Sequence, residues 1–127
     1  MRYIIDTQAF IWYGIGDKQL SKTALEIIES EATCYISIAS IWEMAIKNNI
    51  GKLNFKIPFE DLISNQIAIN SYQILSLDLT HVFQIAELPL FHKDPFDRII
   101  IAQAMSENIP IVSIDPYFSS YPITVIW

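Results

Sequence analysis

The chain of 127 residues has one cysteine, three glycines, two histidines and eight basic side chains against fourteen acids. Each scarcity excludes something. A single cysteine, Cys34, rules out an internal disulfide framework and suits a reducing compartment. Lying in TCYIS, it reads as a small core residue of a strand. The three glycines, Gly14, Gly16 and Gly51, read as helix stops. A formal charge of −6 and a pI near 4.7 argue against a simple electrostatic nucleic-acid binder, which carries a basic face. No apolar run approaches membrane-spanning length. The opening MRYIID reaches a charge after three apolar residues, too few for a signal-peptide core. A soluble cytoplasmic protein is therefore expected. Without repeats, low-complexity tracts or charge blocks, residues 1–127 are expected to form one domain.

What is present is apolar and patterned. Hydrophobic residues make up 52% of the chain, enough for a real core without covalent staples. Short β-rich runs alternate with amphipathic helical patterns. Strands are expected at 2–5, 33–37, 72–78, 109–114 and 123–127. A short helix follows the first strand, ended by Gly14 and Gly16. Further helices are expected at 21–32 behind Ser21, at 38–51 ended by Gly51, and at 58–70 opened by Pro58. Two more fall at 80–89 behind Thr80 and at 95–108. In the 38–51 helix, Ile38, Ile41, Trp42, Ala45 and Ile46 form the expected buried stripe. Strands separated by helices imply crossovers. The expected fold is α/β, in three layers, with a mainly parallel central sheet of four to five strands flanked by helices.

Several acids follow strands. Asp6 ends RYIID and Asp115 ends PIVSID, where open α/β sheets gather their ligands. Asp94 and Asp97 open the helix that feeds the last of these strands, and Glu43 lies in the helix after TCYIS. Each has a plain structural role available. Asp6 is a good N-cap, and Asp115 before Pro116 is a turn opener. Glu43 and Lys47 form an i, i+4 ion pair. Asp94-Pro95-Phe96-Asp97 fits a capping pattern with Asp97 in the capping-box position. Together these roles explain less. Glu43 lies about 60° around its helix from Ile46, at the edge of the apolar stripe. Asp97 sits in the oily run PFDRIII, where a buried carboxylate needs a partner. Four acids converging at one sheet edge repel by roughly 3 kcal/mol per pair at ~5 Å, and a divalent cation relieves that. Oxygen donors without a His/Cys set favour Mg²⁺ or Mn²⁺ over zinc. His92 is expected to be a loop residue and His81 a helix-surface residue.

Four of these stretches, IIDT, SIWEMAIK, DPFDRIIIAQA and VSID, occur in order over essentially the whole chain. In that order and at that spacing they resemble the PIN-domain nucleases, and more narrowly the VapC-type ribonuclease toxins of bacterial toxin–antitoxin pairs. The resemblance implies an acidic site of Asp6, Glu43, Asp97 and Asp115. Asp97 aligns with the third acid through the alanines of DRIIIAQA, with Asp94 as its substitute or helper. Thr7 and Ser113 would be hydrogen-bond partners behind the ligands; Ser113 stands where threonine is commoner. The implied activity is Mg²⁺- or Mn²⁺-dependent hydrolysis of RNA to 5′-phosphate and 3′-hydroxyl ends. Arg98, Lys93 and Lys47 are candidates for the RNA backbone. The implied partners are a second copy of the chain and an antitoxin protein, and the apolar AFIWYGI is a candidate contact surface. Setting the five site acids aside leaves nine acids against eight bases, so the charge objection eases.

Two rival readings remain. A phosphoaspartyl phosphatase-like Mg²⁺ enzyme would want a second aspartate where Gln8 stands. A non-catalytic α/β protein-binding domain would use the acids only as caps.

Overall fold

The computed structural model describes all residues from Met1 to Trp127. In chain order the elements are β1 (Arg2–Ile5), α1 (Thr7–Ile15), α2 (Lys22–Ile28), β2 (Thr33–Ser37), α3 (Ile38–Asn49), α4 (Phe59–Asn70) and β3 (Gln73–Leu75). Then come α5 (Leu79–Glu87), α6 (Pro95–Glu107), β4 (Ile111–Val112), a 3₁₀ turn (Pro116–Ser120) and β5 (Val125–Ile126). The five strands form one sheet in the order β3-β2-β1-β4-β5, and every pairing is parallel. Parallel neighbours need crossovers, and the α1–α2, α3–α4 and α5–α6 pairs supply them. The expected α/β class and parallel sheet are what the structure has, with six helices around five strands.

Alternation along β1 builds two cores on opposite faces of the sheet. Tyr3 and Ile5 point into one, with Phe10, Ile28, Ile36 and Met44. Ile4 points into the other, with Ile100, Ile101, Ile111 and Phe118. Cys34 is buried in β2, and desolvation raises its thiol pKa, which suits a packing role. Because β1 is central and its neighbours β2 and β4 lie on either side, the C-terminal ends of β1 and β4 flank the point where strand order reverses. That is where α/β sheets open a crevice.

Local chemistry explains where elements end, and several ends differ from expectation. α2 stops at Ile28 rather than 32 because Ser30 Oγ donates to Ile27 O and accepts from Ala32 N–H, a turn that competes with the helix. The cap of α5 is Asp78, not Thr80: Asp78 Oδ1 accepts from His81 N–H while His81 Nδ1 accepts from Asp78 N–H. His81 is consequently not a surface residue; it is 1% exposed, its Nε2 is 3.0 Å from Glu107 Oε1, and it ties α5 to α6. Leu88, ahead of Pro89, is extended and ends α5. Gly51 adopts φ +78° just beyond α3, a conformation that side chains resist. Gly14 lies inside α1, and Gly16 alone caps it with φ 67°.

The largest departure is the rotation of α3. Much of its apolar stripe faces outward: Trp42 is 55% exposed and Ile38 and Ile46 are also exposed, while Ile41 packs against the first core. The inward face is Ala39, Ser40, Glu43 and Met44. Ser40 points inward to meet Thr7, and Glu43 points inward with one carboxylate oxygen unpaired.

Candidate functional site

Asp6 follows β1 directly. Its Oδ1 accepts from Ala9 N–H at 2.8 Å, capping α1, and the Ser113 hydroxyl bonds to the same carboxylate. Ser113 Oγ also accepts from Asp115 N–H at 3.0 Å, so this one hydroxyl links the ends of β1 and β4. Asp115 in turn caps the 3₁₀ turn through Tyr117 N–H. Thr7 Oγ1 donates to Ser40 Oγ at 2.8 Å, which docks the start of α1 on α3. Ser37 caps α3 and donates to Gln103 Oε1 at 2.6 Å; Gln103 Nε2 bonds Leu75 O and Ser76 O. This fully buried Ser37–Gln103 pair, absent from the sequence expectations, ties the C-terminal ends of β2 and β3 to α6. It thereby sets the position of the helix that carries Glu43.

The acids meet in one cleft of ≈ 380 Å³. It is lined by Asp6, Glu43, Asp94, Asp97 and Asp115, with Thr7, Gln8, Lys47, Ile11 and Ile114. A hollow of ≈ 470 Å³ at the opposite, N-terminal ends of β1 and β2 has only Glu26 and Glu31 as charged lining residues. Two carboxyl groups in the acidic cleft are strongly perturbed. Burial pushes Asp6 up to about 6, reinforced by Asp115 and Glu43 and opposed by the bonds from Ser113 and Ala9. Burial also pushes Asp97 up to about 7, with Asp94, Glu43 and Asp115 raising it further and His92 opposing. Shifts of this origin in a cleft mark acids held close at a cost in stability.

Glu43 is 7% exposed. Its Oε2 pairs with Lys47 Nζ at 3.1 Å, while its Oε1 is buried and has no partner. A buried carboxylate oxygen without a donor costs of order 1–3 kcal/mol or more. That orphaned oxygen, the raised carboxyls and the oxygen-rich lining fit a hard divalent cation, and Asp97, Asp115 and His92 bring possible ligand atoms within 4.8 Å of one another. Capping accounts for Asp6, Asp94 and Asp115, but Glu43 and Asp97 cap nothing.

Asp94 does what its sequence position suggests: its Oδ1 accepts from Phe96 N–H and Asp97 N–H at the head of α6. The expected capping box is not closed by Asp97. Its carboxylate lies instead 3.2 Å from His92 Nε2, and the same nitrogen is 2.8 Å from Asp115 Oδ2. His92 is thus a loop residue, as expected, but a buried one in contact with two site acids.

The basic candidates divide. Lys47 lines the cleft beside Glu43, and Lys93 is exposed. Arg98 is not available to RNA in the expected way. Its guanidinium donates to the carbonyls of Leu88, Pro89 and His92 at 2.9–3.1 Å, because that loop turns three carbonyls toward the start of α6. Gln8 is exposed in the cleft and supplies no second acid there, as noted for the phosphoaspartyl reading.

The PIN domain profile matches residues 3–123. The chain belongs to the PIN-domain family. Among solved structures, this PIN domain resembles a VapBC2 complex from Rickettsia felis bound to a promoter DNA fragment. The TM-score is 0.74 at 17% identity, over 99% of this chain and 98% of that one. It also resembles FitAcB from Neisseria gonorrhoeae, with TM-score 0.72, 16% identity, and 98% and 96% of the two chains covered. A toxin–antitoxin complex from Klebsiella pneumoniae aligns with TM-score 0.67 at 17% identity, covering 98% and 96%. At these identities the likeness is one of fold. No curated protein matches the chain in sequence. No helix of this PIN domain is long and apolar enough to cross a membrane.

Proposed function

We propose that this PIN domain is an endoribonuclease of the VapC type, the toxin of a toxin–antitoxin pair, dependent on Mg²⁺ or Mn²⁺. The observation that carries the reading is the cleft itself. Carboxylates from the end of β1, the inner face of α3, the head of α6 and the segment after β4 line one space, and one of them, Glu43, has a buried, unpaired oxygen. Asp6, Glu43, Asp97 and Asp115 would hold the cation, with Asp94 capping beside them. When bound, the cation polarises the phosphodiester and lowers the pKa of a coordinated water. The chain supplies the rest. Ser113 orients Asp6 and the backbone of Asp115, and Thr7 with Ser40 fixes α1 against α3. Lys47 offers a cation at the cleft wall for a backbone phosphate, and exposed Lys93 can do so nearby.

The proposed partners are RNA, a second copy of the chain and a cognate antitoxin. Ile38, Trp42, Ile46 and Ile50 recur every four residues on α3 and are all exposed, which supports a protein partner on that face. In AFIWYGI, by contrast, Ala9 and Phe10 are buried and only Ile15 is a well-exposed large apolar side chain. The complexes formed by the structural neighbours support the same partner class.

The test is cleavage of single-stranded RNA by purified protein freed of any partner. Activity is expected with Mn²⁺ or Mg²⁺, leaving 5′-phosphate ends, and is expected to vanish with chelator and in Asp6→Asn. RNA left intact by the wild-type chain with either metal refutes the enzyme reading.

A further inference from the structure

His92 is 9% exposed, yet none of the roles above needs a buried histidine. Its surroundings define how it acts. Nδ1 lies 3.2 Å from Asp94 N, and a backbone N–H can only donate, so Nδ1 is the acceptor and the ring proton sits on Nε2. That Nε2–H donates to Asp115 Oδ2 at 2.8 Å, and Asp97 Oδ2 lies 3.2 Å from the same nitrogen, off the line of that bond. The ring is held by an edge-on contact with Tyr117 and a tilted contact with Phe118, which is fully buried.

The loop carrying His92 is fixed from two sides. Tyr121 Oη accepts from His92 N–H at 2.8 Å and donates to Pro89 O at 2.6 Å. Arg98 binds the carbonyl of His92 and those of Leu88 and Pro89. A tyrosine after the 3₁₀ turn and an arginine on α6 therefore hold one loop, and through it one imidazole, in a single pose.

We propose that His92 is a positioning residue that sets the spacing and orientation of Asp97 and Asp115, donating its Nε2 proton to Asp115 while the same nitrogen sits against Asp97. The two carboxyls come from different elements, and no backbone hydrogen bond joins the head of α6 to the segment after β4. The donor keeps them within reach of a common ligand while Asp97 and Asp115 retain lone pairs for it. The link to metal binding rests on the function proposed above; the positioning claim itself does not.

Two variants separate this role from packing and from direct ligation. His92→Phe keeps a ring against Tyr117 and Phe118 but has no donor. His92→Gln restores an N–H at about the reach of Nε2. In metal-free wild-type protein, long-range ¹H–¹⁵N NMR is expected to show the Nε2–H tautomer. The carboxyl ¹³C shifts of Asp97 and Asp115 are expected to move in His92→Phe and return toward wild type in His92→Gln. By calorimetric titration of the full chain with Mn²⁺ alone, His92→Phe is expected to lose about tenfold or more in affinity, with His92→Gln recovering most of it. The Nδ1–H tautomer, or carboxyl shifts unmoved in His92→Phe, overturns the proposal. A His92→Gln as defective as His92→Phe makes the ring nitrogen a ligand, and two variants that differ from wild type only in melting temperature make it packing; either result also overturns it. A wild-type chain that binds no Mn²⁺ refutes the metal reading, and the tautomer and carboxyl shifts then decide the positioning claim alone.

Discussion

Neutralising a site acid should make the metal-free protein more stable, and Asp6→Asn shows this most cleanly. The asparagine side-chain oxygen can still accept from Ala9 N–H, so the cap on α1 survives. What is removed is a carboxyl whose pKa is raised from 3.8 to about 6, chiefly by burial. A raised carboxyl means that the folded state binds more protons than the unfolded one between those two values. Stability therefore falls as pH rises through that window. At ~1.36 kcal/mol per unit, ionised Asp6 costs the fold roughly 3 kcal/mol above pH 7. The bonds from Ser113 and Ala9 are already counted in that net shift; finding a new acceptor for the buried asparagine N–H₂ takes back some of the gain, leaving about 2 kcal/mol. For a domain of this size that corresponds to a melting temperature higher by roughly 6–10 °C. The assay is urea or thermal unfolding in chelator from pH 4.5 to pH 8. The variant is expected to be more stable at pH 8 and to match wild type near pH 4.5. With Mn²⁺ at about a hundred times its dissociation constant, wild type gains ~2.7 kcal/mol and the variant gains little, so the order narrows or reverses. An Asp6→Asn protein less stable than wild type in chelator at pH 8, or a difference that does not change with pH, refutes the reasoning.

Three further outcomes are expected. Tyr72→Phe removes a buried hydroxyl that has no partner and should stabilise the chain by about 1 kcal/mol in urea unfolding; a loss of that size would mean the hydroxyl is satisfied. Ser37→Ala removes the cap of α3 and leaves Gln103 Oε1 unpaired in the core, a cost of roughly 2–3 kcal/mol, with a smaller loss for a half-buried cap such as Ser21→Ala. Arg98→Ala frees the carbonyls of Leu88 and His92 and leaves Pro89 O to Tyr121 alone, rather than removing a phosphate contact. It should lower stability and cleavage without flattening the salt dependence of RNA binding, whereas a flattened dependence would return Arg98 to the RNA-contacting set.

The readable parts of the sequence were those governed by local chemistry. The run TCYIS is bounded on both sides and alternates in burial, so β2 has the expected limits. Asp94 caps because Pro95 and the oily run behind it leave it little else to do. The acids at the ends of β1 and β4 were legible because strand direction alone places them. α3 was not legible: its apolar spacing pointed to a buried face that the structure turns largely outward, because Ser40 meets Thr7 on the inner side. No helical period carries information about partners thirty-three residues away. His92 was missed for the same reason, since its burial depends on Arg98 and Tyr121. His81 had a local signal, an aspartate three residues earlier, but the capping-box pattern looks for Glu or Gln at that position rather than histidine.

The central claim is that carboxylates from four separated segments hold one divalent cation site. Crystals soaked in Mn²⁺ and measured at the manganese absorption edge test it directly. The account expects anomalous density in the cleft, at coordination distance of about 2.2 Å from Asp6 and within reach of Glu43, Asp97 and Asp115. A fully exchanged crystal with no anomalous density there, or with manganese bound only elsewhere on the surface, contradicts it.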